Sequence, residues 1–76
     1  MTNLPDIPLL IDGDGYLVEL NDDGRDICIV RILLFPNNEN AQPRLCEWRG
    51  LLRHIHDRVI NAVNRKYRNR MVKISC

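Results

Sequence analysis

Aromatic residues are scarce in this chain, with one Trp, two Tyr and one Phe among 76 residues. Cysteines number three, an odd count that cannot pair off within one chain. Pro5, Asp6 and Pro8 interrupt any charged-then-apolar leader at the start. With no secretory signature, the cysteines read as free thilos of a reducing, cytoplasmic setting. Long hydrophobic runs are missing too. The longest stretch of apolar character, Ile27 to Phe35, contains Arg31, and a membrane helix needs about 20 residues. A membrane-spanning helix is therefore not expected.

Net charge is also nearly missing, at +1, which by itself points to neither nucleic acid nor membrane. The total hides an asymmetry. Residues 1–43 hold eight acids against Arg25 and Arg31, a balance of −6. Residues 44–76 hold nine Lys/Arg against Glu47 and Asp57, a balance of +7. Pairing of the two halves within one fold is the expected consequence.

The length bounds what the chain can house. One domain spanning residues 1–76 is expected, and a chain of this size buries only about 60% of its unfolded surface. Such a core is marginal and invites help from oligomerisation. A buried enzymatic cleft with its own supporting shell is hard to fit.

What is present is strand signal followed by helix signal. Met1 to Asp6 reads as a loose lead-in, and Ile7 to Asp12 as a first strand in which Pro8 belongs at a sheet edge. Gly13-Asp14 reads as a two-residue hairpin turn, since both positions tolerate positive φ. Tyr16 to Leu20 is a second strand, and Asn21-Asp22-Asp23-Gly24 a second reversal. Asp26 to Phe35 is the strongest strand signal. By simple alternation, Cys28, Val30, Ile32 and Leu34 share one wholly apolar face. Ile27, Ile29, Leu33 and Phe35 share the other, broken only by Arg31. An antiparallel strand with one wet face should alternate apolar and polar residues. One helix covers one face, so Ile27, Ile29, Arg31 and Leu33 are expected to meet a partner.

After Pro36 and a polar loop, one long helix is expected from Pro43 to about Asn64, with an extension toward Arg70. Leu45, Trp48, Leu52, Ile55, Val59 and Val63 recur at gaps of three or four. Gly50 marks a candidate break. Beyond Val63 the apolar row changes to Ile60, Tyr67 and Met71, a second expected partner surface. Met71 to Ser75 alternates weakly and offers a short last strand.

The candidate chemistry is thin. Asp12-Gly13-Asp14-Gly15 resembles half a calcium loop, but with Gly15 as the invariant glycine the first ligand position falls on Leu10 and the last on Asn21. His54 and His56, two apart on a helix, point about 200° from each other and cannot share an ion. Cys28 reads as a small hydrophobe, and Cys76 as an available but unactivated thiol. Arg65, Lys66, Arg68 and Arg70 surround Tyr67 in a patch able to contact phosphates. Gly15-Tyr16-Leu17 followed by Trp48 resembles the opening of the DsrC/TusE sulfur-relay family. Those proteins carry a larger helical second half with a C-terminal cysteine segment, for which this chain has no room.

The expected fold is α+β: a three-stranded antiparallel meander, one long amphipathic helix packed on it, and an optional short C-terminal fourth strand. The expected function is a small non-enzymatic protein-binding module of regulator, inhibitor or adaptor type, acting as a homodimer. The alternative is a nucleic-acid-binding protein using the basic helix end. No catalytic residue, metal site, cofactor, membrane or small-molecule substrate is expected. The expected partner is another protein chain, self or foreign.

Overall fold

A computed structural model describes residues 2–74 of the chain. Strands β1 (Thr2–Ile11), β2 (Asp14–Asp22) and β3 (Ile27–Phe35) form an antiparallel meander. A short β4 (Arg44–Cys46) follows, then a single 3-10 turn at Trp48–Gly50. Helix α1 (Arg53–Lys66) comes next, and β5 (Val72–Ile74) closes the order. The α+β class, the meander, the one helix on the sheet and the short late strand are all as expected. β5 runs parallel to β3 on residues 27–29, while β4 runs antiparallel to it on residues 32–34. The two short strands thus sit end to end along one edge of β3. The Ser75 end of the expected last strand lies outside the described residues.

Turn chemistry sets the meander. The first hairpin turns on Asp12-Gly13, one residue earlier than Gly13-Asp14, with φ of 55° and 83°. Two successive positive φ values match the twist of the flanking strands. At the second reversal, the Asp22 carboxylate accepts from the Gly24 N–H at 2.8 Å, and Asp23 accepts from Arg25 and Asp26 N–H at 2.9 and 2.6 Å. Short acidic side chains here replace backbone partners. The lead-in is not loose: Thr2, Asn3 and Leu4 pair with Asp22, Asn21 and Leu20. The register then slips between Leu4 and Ile7, over Pro5 and Asp6, placing a proline where the ladder is already irregular.

A second slip has larger consequences. Glu19 pairs with Arg31 but Leu20 pairs with Ile29, so Val30 is an extra residue in β3. A bulge reverses the facing of everything beyond it. The core side of β3 is therefore Ile27 and Ile29, then Ile32 and Leu34. Neither face obtained by plain alternation exists. Under α1, these residues join Ile7, Ile11, Tyr16, Val18 and Leu20, with Ile55, Val59 and Val63 from the helix. Val59 and Val63 are fully buried.

The helix is shorter than its apolar spacing describes. Glu47, Leu51 and Leu52 are all extended, with ψ of 133°, 143° and 153°. Arg44–Cys46 leaves the helical pattern because β3 offers an edge whose backbone groups need partners. Of the six-residue stripe, Ile55, Val59 and Val63 are buried, whereas Leu45 and Leu52 are 65% and 64% exposed.

The charge asymmetry resolves inside the fold. Arg70 grips Asp22 through Nη2–Oδ1 at 2.6 Å and Nη1–Oδ2 at 3.2 Å. Lys73 meets Asp23 at 2.8 Å, and His54 meets Asp12 at 2.5 Å. All three join the acidic half to the basic half.

Candidate functional site: the open face of the sheet

Helix α1 covers one face of the sheet. The side chains of the other face follow from the register. Pro8, Leu17, Leu33 and Leu45 stand opposite one another across four strands. Strands are about 4.8 Å apart, so this row spans about 14 Å. The adjacent row is Leu10, Gly15 and Phe35. Leu10, Leu45 and Phe35 are 69%, 65% and 43% exposed, and Leu17 and Leu33 are half-buried between them. Together they form one continuous apolar band. Apolar residues scattered over a surface need no explanation, whereas a contiguous apolar patch is a candidate interaction site.

The band has a charged border. Arg31 donates from Nε and Nη2 to the two Glu19 carboxylate oxygens at 2.9 and 3.0 Å. This cross-strand fork lies one row beyond Leu17 and Leu33. Further along, Cys28 is buried beneath the second reversal, its Sγ 3.6 Å from Asp23 Oδ2. The hydrogen bond from Lys73, followed by those from Asp26 and Arg25 N–H, holds the Asp23 carboxyl well below the usual range. Arg70 does the same for Asp22, assisted by the Gly24 N–H. Burial pushes the Tyr16 hydroxyl and the Cys46 thiol up.

The free edge of β1 is blunted against strand addition at Pro8 and Leu10. In a hairpin closed by a two-residue turn, Ile11, Leu9 and Ile7 bond toward β2, and the residues between them face outward. Pro8 is one of these and has no N–H to offer. Leu10 is another, and its carbonyl already accepts from Arg58 Nη2 of α1 at 3.2 Å. A proline and a capped carbonyl both blunt an edge against pairing.

The expected partner residues divide. Arg31 and Leu33 lie on the open face. Ile27 and Ile29 do not: both are buried under α1, because the bulge at Val30 keeps them on the core side. The row Ile60, Tyr67 and Met71 is not a row. The helix ends at Lys66 and Asn69 turns the chain with φ 69°. Ile60 and Tyr67 pack against the core, while Met71 is 73% exposed on the lead into β5. Leu10, Leu17, Phe35 and Leu45 share that face and were not among the expected partner residues. Phe35 follows Leu33 by plain alternation, whereas Leu45 reaches the face only because Arg44–Cys46 is a strand instead of the start of a helix.

The basic patch divides as well. Arg70 is committed to Asp22 and to the Arg25 carbonyl, whereas Arg65, Lys66 and Arg68 are exposed. Lys66 Nζ lies 5.8 Å from the Tyr67 ring centroid. His54 is bound to Asp12, and His56 stacks on Trp48 with centroids 4.1 Å apart. Among the described residues, no group of three or more His, Cys, Asp or Glu is arranged to hold a metal ion, and no helix is long and apolar enough to cross a membrane. A groove of about 700 Å³ opens where β4 and β5 approach each other, lined by Val30, Ile32, Leu45, Cys46, Trp48 and Ile74 among others. No protein-family model, curated protein or solved structure matches the chain.

Proposed function

We propose that this protein is a non-enzymatic protein-binding module of regulator, inhibitor or adaptor type, and that the open face of its sheet is the binding surface. The observation that carries this is the apolar band of Leu10, Leu17, Leu33, Phe35 and Leu45, aligned by strand register and left without a covering element among the described residues. Burying such a band removes apolar surface from water at roughly 25 cal/mol per Å². A cytoplasmic setting fits the free Cys28 and Cys46.

The test is crosslinking in the native host, with the wild type compared against a Leu10→Lys/Leu45→Lys double variant. Both positions are exposed, so the double variant keeps its fold. The expected result is a protein adduct, a second copy counted among the candidates, that is present in the wild type and absent from the variant. Identical adducts from both chains refute the proposal.

A second proposal rests on Arg65, Lys66 and Arg68 beside Tyr67 and takes nucleic acid as the partner. Three phosphate contacts give a slope of about −2 to −3 in log affinity against log salt. Oligonucleotide binding that is flat with salt, or unchanged by neutralising the three, rules it out.

A further inference from the structure

We propose that Cys46 and Cys76 form a reversible disulfide across the groove between β4 and β5, a redox-responsive bond that ties the two short edge strands together. The bond is independent of whatever binds the open face.

Position points to this pair. β4 and β5 both lie along the edge of β3 that faces away from β2, and their C-terminal ends point at each other. β5 runs parallel to β3 and brings Ile74 opposite Ile29, while β4 runs antiparallel and brings Cys46 opposite Ile32. The distance from Ile29 to Ile32 along β3 is about 10 Å, less what the bulge at Val30 takes up. Cys76 follows Ile74 by two residues in the sequence, a reach of up to about 7 Å. The Cα separation of a disulfide, about 4.4–6.8 Å, is therefore attainable with neither strand displaced.

Facing agrees with position. Leu45 is exposed on the open face, and the next residue, Cys46, packs against the core on the other side. Val72 and Ile74 pack against the core as well, with Lys73 between them turned to Asp23. Alternation with a period of two assigns residue 76 to the side of Val72 and Ile74. Cys46 and Ile74 both line the groove, so the two sulfurs have room to meet there.

The third thiol is out of range. Cys28 is buried beneath the second reversal and lies opposite Lys73. Along β3 it stands more than about 10 Å from Ile32, the partner of Cys46, beyond the span of a disulfide. The odd cysteine count thus divides into one pair and one buried thiol.

The oxidant is a small-molecule disulfide of the glutathione type. The Cys76 thiolate attacks one of its sulfurs, forming a mixed disulfide and releasing one glutathione thiolate. The Cys46 thiolate then attacks the Cys76 sulfur, forming the protein disulfide and releasing the second glutathione thiolate. The two protons lost by the cysteines are taken up by the two leaving thiolates, so the exchange consumes two thiols and one disulfide and returns the same. Burial pushes the Cys46 thiol up, which makes it the resolving thiol and not the attacking one. In a reducing compartment such a bond forms only when the thiol pool turns oxidising, which is the use cytosolic disulfides have as sensors.

Equilibration of the full chain in glutathione buffers of stepped oxidised-to-reduced ratio, then acid quench, alkylation and peptide mapping, tests this. The expected product is a monomer with one linked peptide joining Cys46 to Cys76, and Cys28 recovered as a free thiol. Urea removes the strand geometry, so the equilibrium constant for this bond should fall about tenfold or more in the unfolded chain, about 30 mV in potential. Cys76→Ser should leave Cys46 as a thiol or as its glutathione adduct. A bond to Cys28, an intermolecular disulfide as the main product, or an equilibrium constant equal in buffer and in urea overturns the pairing. Glutathione on both Cys46 and Cys76, with no bond between them, overturns it as well.

Discussion

Leu52→Asp separates the observed fold from the single long helix that the apolar spacing describes. In an unbroken helix Leu52 lies in the buried stripe between Trp48 and Ile55. Removing it there costs about 2–5 kcal/mol, before any penalty for burying a charge. In the structure Leu52 is the N-cap of α1, with φ −65° and ψ 153°. It makes no side-chain cap bond, and the first turn of the helix holds no acid. Three effects then combine. Leu52 is 64% exposed, so only about a third of the burial energy of a leucine is lost, or about 0.5–1 kcal/mol. An aspartate at the N-cap accepts a backbone N–H, contributing about 1 kcal/mol. Its charge at the helix N-terminus adds about 0.5 kcal/mol. The net expectation is a gain of about 0.5 kcal/mol.

Urea denaturation followed by circular dichroism measures the change, provided the slope m is unaltered. Val59→Ala is the reference. Val59 is fully buried, and losing two methyl groups there costs about 2–3 kcal/mol including the cavity. That is a large part of the roughly 4–11 kcal/mol expected for a chain of this length. A midpoint for Leu52→Asp as low as that of Val59→Ala would falsify the broken helix.

Three further outcomes are expected. Gly13→Ala, at φ 83° with open space around it, should lose about 1–2 kcal/mol, whereas Gly50→Ala, with no positive φ and nothing within 4 Å, should be neutral or gain slightly; equal losses at the two sites would contradict the turn geometry. Asp22 and Asp23 have lowered pKa values in the fold, so the stability they contribute is present above the ordinary carboxylate pKa of about 3.9 and is lost as pH falls toward the lowered values; the decline measured below pH 4 should be shallower in Asp23→Asn, and an unchanged profile would remove the Lys73 contact from the account. Alkylation at neutral pH with peptide mapping should leave the buried Cys28 unmodified in the native state, and Cys46 slow because burial raises its pKa; rapid labelling of Cys28 would show that the second reversal opens readily.

Much of the architecture was legible in the residues because it rests on local chemistry. Gly13 and Asp22-Asp23-Gly24 supply the backbone freedom and side-chain acceptors that reverse the chain, although the first turn sits on Asp12-Gly13, one residue before the Gly13-Asp14 expected, and the positions between the turns alternate. The spacing of Ile55, Val59 and Val63 describes a helix face without reference to anything else. The open face, which is proposed as the binding surface, was legible only in part. The excess of apolar residues in β3 pointed to a second face containing Leu33 and Arg31, but Ile27 and Ile29 were assigned to it as well because plain alternation was carried through Val30. Every residue from Ile27 to Phe35 except Arg31 is apolar, so nothing in that stretch reveals where its facing changes.

Sequence alone determined the α+β class, the two reversals and the core of the helix, because turn preference and periodicity act within a few residues. Tertiary structure decided the rest. Arg44–Cys46 became a strand because β3 presented an edge, although Leu45, Trp48 and Leu52 keep helical spacing. The bulge at Val30, which puts Ile27 and Ile29 on the core side together with Ile32, is visible only in the pairing of β3 with β2. These choices depend on residues far apart in the chain, and they place Leu33 and Leu45 side by side on the open face.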